Sequence, residues 1–142
     1  DLLPTLVNLA GAEIPKEHII DGRDIWSVLS GKQKTGTIHD ALYFYWGKEL
    51  HAVRSGKWKL HLPHPSKEIP VPGQGGEPGP SKSIQVALSL YDLEKDAGET
   101  TNVADKHPEI IAQLMKYVER TRADLGDSLV KREGANVRSA GK

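Results

Sequence analysis

The stretch from Ala41 to Leu62, "ALYFYWGKELHAVRSGKWKLHL", constrains the fold more than any other part of the chain. Three runs rich in aromatic and branched residues are split by "GKE" and "SGK", the pattern of an antiparallel meander of three strands. In the last run Trp58, Leu60 and Leu62 alternate with Lys57, Lys59 and His61, so one face is packed and the other wet. Downstream, "IQVALSLYDL" supplies a fourth strand.

The stretch "HPEIIAQLMKYVERTRADLG" then carries helical spacing. Ile110, Ile111, Leu114, Met115, Val118 and Leu125 form one stripe, Pro108 fits the first turn, Asp105 is a plausible cap and Gly126 follows the end. Upstream, "DLLPTLVNLAG" places Leu2, Leu3, Leu6, Val7 and Ala10 on one helical face, with Asp1 able to cap and Gly11 as a stop. A second short helix is expected in "DGRDIWSVLSG", with Ile25, Trp26, Val28 and Leu29 inward. From 63 to 83 the chain is dominated by Pro, Gly and Ser, which predicts a long irregular, flexible loop. The tail beyond Gly126 is small and polar, and is expected to be disordered or to form a strap on a neighbour. The fold class is α+β: short N-terminal helices, then a small four-stranded antiparallel sheet packed by a long C-terminal helix.

Composition narrows the functions. A length of 142 residues is that of one domain, and 19 basic against 19 acidic side chains leave no global field for nucleic acid or an anionic membrane. The absence of cysteine excludes disulfides, thiolate zinc sites and a cysteine nucleophile. No apolar run approaches the ~20 residues of a membrane span. The chain starts at Asp1 with no signal-peptide pattern, as expected of a piece cut from something longer.

Two constellations need weighing. Asp92, Glu94, Asp96 and Glu99 crowd the turn between the last strand and the helix. An EF-hand loop starting at Asp92 would need Gly at its sixth position and Glu at its twelfth, where the chain has Ala97 and Val103. Asp92, Asp96, Gly98 and Asn102 are instead expected to shape turns and bond local amides. His51, His61 and His64 could be imagined as a metal set, but His61 lies on a polar strand face and His64 opens the loop, poor support for a rigid site. No nucleophile elbow, phosphate-cradling loop or H-E-x-x-H motif is present.

Taken in order, "DLLPTLVNLAGAEIP", "IDGRDIWSVLSG", "ALYFYWGKELHAVRSGKWKLHL", "LYDLEKDAGETTNVADKHPEIIAQL" and "RADLGD" closely resemble the C-terminal part of type I sulfatases, the arylsulfatase A-like family of the alkaline phosphatase superfamily. The resemblance runs from Asp1 to about Asp127. It implies that "LYDL" closes the sheet, that the acidic turn is not the active site, and that the chain is a fragment of an α/β enzyme. Ala97 stands where the family commonly has Pro, which loosens the turn.

The resemblance also implies what lies elsewhere. Sulfatases use a formylglycine made in a C/S-x-P-S-R motif, a calcium ion held by Asp and Asn, and sulfate-binding Lys and His, all from a large N-terminal domain. None of these motifs occurs here, so no catalytic or metal residue is assigned. The expected partners are that catalytic domain of the same polypeptide and a sulfate-ester substrate, with periplasmic or secreted localisation. The expected division is 1–35 as the end of the large domain and connector helices, 36–126 as the C-terminal subdomain, and 127–142 as tail. Trp46, Lys48 and His51 on the first hairpin are the candidate substrate-side contacts. The alternatives are a non-catalytic binding or scaffold module, or part of a related phosphate- or phosphonate-ester hydrolase.

Overall fold

The computed structural model describes residues 1–17, 19–33 and 37–137. The chain divides into two compact units, Asp1–Asp40 and Ala41–Lys142.

In the first unit, helix α1 (Leu2–Leu9) and the single-turn helix α2 (Trp26–Leu29) are joined by irregular chain. Thr5 fixes them: at 1% exposure its hydroxyl donates to the Asp1 carbonyl and accepts the Ile25 N–H. Asp1 is at the N-cap of α1 but makes no side-chain cap bond. Its carboxylate instead accepts from the Arg23 N–H at 2.8 Å and meets the His39 ring. On the expected apolar stripe Leu2, Leu3, Leu6 and Ala10 are exposed and Val7 is half-buried; Leu9, outside it, is exposed as well. Trp26, Val28 and Leu29 are exposed as well, so the inward face expected of α2 is uncovered.

In the second unit, β1 (Leu42–Trp46), β2 (Glu49–Ser55), β3 (Trp58–His61) and β6 (Ser89–Asp92) form the expected antiparallel sheet in the order β1-β2-β3-β6. The two-residue turns at Gly47 and Gly56 have φ of +58° and +55° at the glycine, the glycine-first form whose twist suits paired strands. A bulge breaks the β1–β2 register at Phe44/Tyr45, where Phe44 pairs with Ala52 and Tyr45 with Leu50, leaving His51 unpaired between them. Helix α3 (Pro108–Leu125) lays Leu114 and Val118 onto Leu50, Val53, Leu60, Leu62 and Leu90, with Ile110, Ile111 and Met115 at the margin. Each buried large aliphatic contributes about 1.5–3 kcal/mol, which holds the helix by docking. Leu125 is exposed, and the buried Thr121 takes the place on the stripe nearest the helix end. His107, not Asp105, is the N-cap of α3; Asp105 lies in a preceding 3-10 turn.

Two expectations are corrected. Residues 63–83 are not wholly irregular, because β4 (His64–Glu68) pairs with β5 (Lys82–Val86) as a separate ribbon. Gly75 and Gly76, both at positive φ, close its tip between Gln74 and Glu77. The expected fourth strand is thereby divided, β5 serving the ribbon and β6 the sheet. The tail, in turn, is structured up to residue 137: β7 (Gly126–Asp127) pairs with β8 (Arg132–Glu133) around a short 3-10 turn.

The physical reason is Asp127, which is 1% exposed. Its carboxylate accepts from the backbone N–H groups of Leu50 and Leu129 at 3.2 and 3.1 Å and from Arg122 Nε at 2.9 Å. Gly126 is required beside it, since a Cβ there would come within 2.8 Å of the Arg132 carbonyl oxygen. Removing the carboxylate leaves the buried Leu50 N–H without its acceptor and the largely enclosed Arg122 guanidinium with Glu119 alone. Asp127→Ala is therefore expected to lower stability by about 3 kcal/mol, read as a fall in the urea midpoint with an unchanged slope. A change below about 0.5 kcal/mol would contradict this role.

Candidate functional site

The β1–β2 hairpin presents the first two candidate residues. Trp46 ends β1 at 75% exposure, and Lys48 forms the turn with Gly47. The tip is held from behind: the Lys48 carbonyl accepts the Ser128 N–H at 2.9 Å, and the Tyr45 hydroxyl donates to the Gly126 carbonyl at 2.8 Å. Burial raises the Tyr45 pKa, which keeps that hydroxyl a donor. Beside the tip is a cleft of about 540 Å³ that Lys48 shares with Gly126, Ser128, Lys131 and Arg132. Arg132 is committed to Glu119 at 2.6 Å, whereas Lys48 and Lys131 have no ion-pair partner among the described residues. Lys131 was not legible as a site residue, because only the fold of the tail brings it to Lys48.

His51, the third candidate, sits unpaired at the bulge. Its ring stacks on His64 with centroids 3.9 Å apart and 19° between planes, and its Nε2 lies 3.0 Å from Glu49. His64 is the one buried residue of the ribbon, and its Nδ1 donates to the Leu62 carbonyl at 2.6 Å. His61 lies 5.9 Å from His64 and meets Tyr91 edge-on. The three rings are layered rather than convergent, and among the described residues no group of three or more His, Asp or Glu could hold a metal ion.

The acidic turn is consumed by its own surroundings. Asp92 accepts from Lys57 Nζ and the Glu94 N–H; Asp96 accepts from the N–H groups of Thr100 and Thr101 and the Thr100 hydroxyl. Asn102 accepts from the N–H groups of Leu90 and Ala104. Glu99 rather than Gly98 takes the left-handed conformation, with φ of +54°. That turns its carboxylate to Lys59 and to His61 Nε2, 2.6 Å away.

The histidine and carboxylate cluster sets an acid sensitivity. Burial lowers the His61 pKa from the ordinary 6.5, outweighing the bond to Glu99. Burial pushes Glu99 up, but bonds and charges from Lys59 and His61 together hold it below its ordinary 4.5. The unfolded chain therefore takes up a proton near pH 6.5 that folded His61 resists, and stability falls as pH drops through that value. The Glu99 contribution is present above 4.5 and is lost at lower pH, as its folded pKa is crossed. The urea midpoint is expected to be lower at about pH 5.5 than at about pH 7.5, with a smaller difference in His61→Asn. An equal or larger difference in that variant would contradict the assignment.

With this geometry in place, comparison with known proteins is informative. The sequence matches the family described as the C-terminal region of aryl-sulfatase over residues 37–140. It is 33% identical to human Arylsulfatase A over 136 residues, covering 88% of this chain and 26% of that protein. It is also 33% identical to human Arylsulfatase D over 111 residues, 70% of this chain and 18% of the relative. The chain thus spans roughly a fifth to a quarter of these relatives' length. A solved structure from work on the metabolism of multiple glycosaminoglycans by Bacteroides thetaiotaomicron overlays 87% of this chain and 24% of its own, with a TM-score of 0.60 and 24% identity, a likeness of fold. The chain belongs to the aryl-sulfatase C-terminal family.

Proposed function

We propose that this chain is the C-terminal part of a sulfatase that hydrolyses aryl or carbohydrate sulfate esters. In this reading an N-terminal domain of the same polypeptide supplies catalysis, and this part supplies structure and one rim of the substrate pocket. The family match over 37–140 carries the reading. The open leucine stripe of α1 supports it, since an apolar face of this kind is stable when covered by more protein.

This chain's residues do not fit the cofactors of sulfatases. Its turn carboxylates are engaged by lysines and backbone amides, and it has no Cys or Ser in the formylglycine motif. Calcium and formylglycine would therefore be held by the catalytic domain. What these residues can offer is contact. Trp46 presents an exposed aromatic face, Lys48 a cation with no ion-pair partner among the described residues, and the bonds from Gly126, Asp127 and Ser128 hold the hairpin still. His51 would act indirectly, by fixing the bulged strand behind them.

Two measurements test this. The 142-residue chain alone is expected to give no hydrolysis of 4-nitrophenyl sulfate; turnover by it would overturn the division of labour. In the polypeptide carrying the catalytic domain, Trp46→Ala is expected to raise KM about five- to tenfold with kcat within about twofold. Unchanged kinetics in both Trp46→Ala and Lys48→Ala would remove the hairpin from the pocket rim.

A further inference from the structure

A second concave site lies at the opposite end of β2 from the hairpin tip. The turn at Gly56 and Lys57 and the flank of α3 that carries Ile110, Leu114 and Tyr117 line a groove of about 690 Å³, within the size range of small-molecule pockets. Its floor and walls are apolar, formed by Ile110, the buried Leu114 and the rings of Trp58 and Tyr117. Its edge is cationic. Lys116 and Arg120, four residues apart on α3, project from one helix face, and neither has an ion-pair partner among the described residues.

The other charges nearby are already balanced. Lys57 Nζ lies 2.9 Å from Asp92 and 4.9 Å over the Trp58 ring, so it steadies the indole and adds little net charge. Glu119, next on the helix, is held by Arg122 and Arg132. No acidic side chain lines the groove among its described residues. The site therefore combines the exposed parts of two half-buried aromatic side chains at the margin of the core, Trp58 with the His107 ring 4.8 Å away, an apolar floor and two cations with no ion-pair partner among the described residues.

We propose that this groove binds an amphipathic organic anion: an aryl or fused-ring body carrying a sulfate, sulfonate or carboxylate. The ring would lie against Trp58 and Tyr117, and the anionic group between Lys116 and Arg120, where a guanidinium offers paired donors. This goes beyond the pocket-rim reading and does not depend on it, because the groove and the hairpin tip share no residue.

The test is a titration of the 142-residue chain with naphthalenesulfonate, followed by amide and indole NMR. Perturbations are expected at the Trp58 indole N–H and around Gln113 to Tyr117. Naphthalene methanol, which has the ring without the charge, and the Lys116→Gln/Arg120→Gln double variant are each expected to bind at least about tenfold more weakly. Lys116→Arg/Arg120→Lys keeps both charges and is expected to retain binding. Inorganic sulfate alone is expected to leave Trp58 unmoved. The proposal is overturned if the neutral ring binds as tightly, if sulfate alone reproduces the pattern, or if the glutamine double variant binds unchanged. Both positions are exposed, so the substitutions leave the core intact.

Discussion

The junction at Asp127 is the interaction on which the second unit's site geometry depends. Three elements converge there: the β1–β2 hairpin, distant in sequence, and the end of α3 with the segment that follows it. The carboxylate takes the N–H of Leu50 from the hairpin and the guanidinium of Arg122 from the helix. Its neighbours add the Tyr45–Gly126 and Lys48–Ser128 bonds. A charge this buried is tolerated because three donors, one of them a guanidinium, meet the carboxylate, and their geometry makes the arrangement specific. Through it the hairpin tip, which would otherwise be a two-residue turn free to move, acquires a fixed position.

Around this junction the apolar core does the bulk of the work. Leu50, Val53, Leu60 and Leu90 on the sheet and Leu114 and Val118 on the helix exclude water from one face. The opposite face holds the histidine stack and the Lys59–Glu99–His61 group, where polar side chains are partly enclosed and, among the described residues, no fully buried side-chain polar atom lacks a partner. Division of labour within one small sheet follows: apolar burial on the helix side, a saturated polar cluster on the other, and contact residues at the ends of the strands.

Much of this was legible in the sequence where periodicity and turn chemistry agree. The Gly-Lys turns at 47–48 and 56–57 and the alternation Trp58, Leu60, Leu62 define the meander, and the stripe on 108–125 defines the helix. The β4–β5 ribbon was not legible by composition, since prolines and glycines mask strand signals; the Gly75-Gly76 pair between polar residues was the available clue. The folded tail was hidden because it is held by one charged residue and not by apolar spacing. His51, expected on the first hairpin, sits at the bulge, and a bulge shifts side chains between faces in a way no alternation pattern reveals. At the acidic turn, Gly98 was the natural residue for positive φ, yet Glu99 takes it, drawn by two cationic or donor partners across the sheet.

The measurement that tests this account most directly is amide hydrogen exchange at Ser128 and Leu129, compared with Val53 and Leu60 in the core. If residues 126–133 are an integral part of the fold that fixes the hairpin, Ser128 and Leu129 will be protected to within about tenfold of the core strands. Exchange of both at the rate of an unstructured chain, with Val53 and Leu60 still protected, would contradict it.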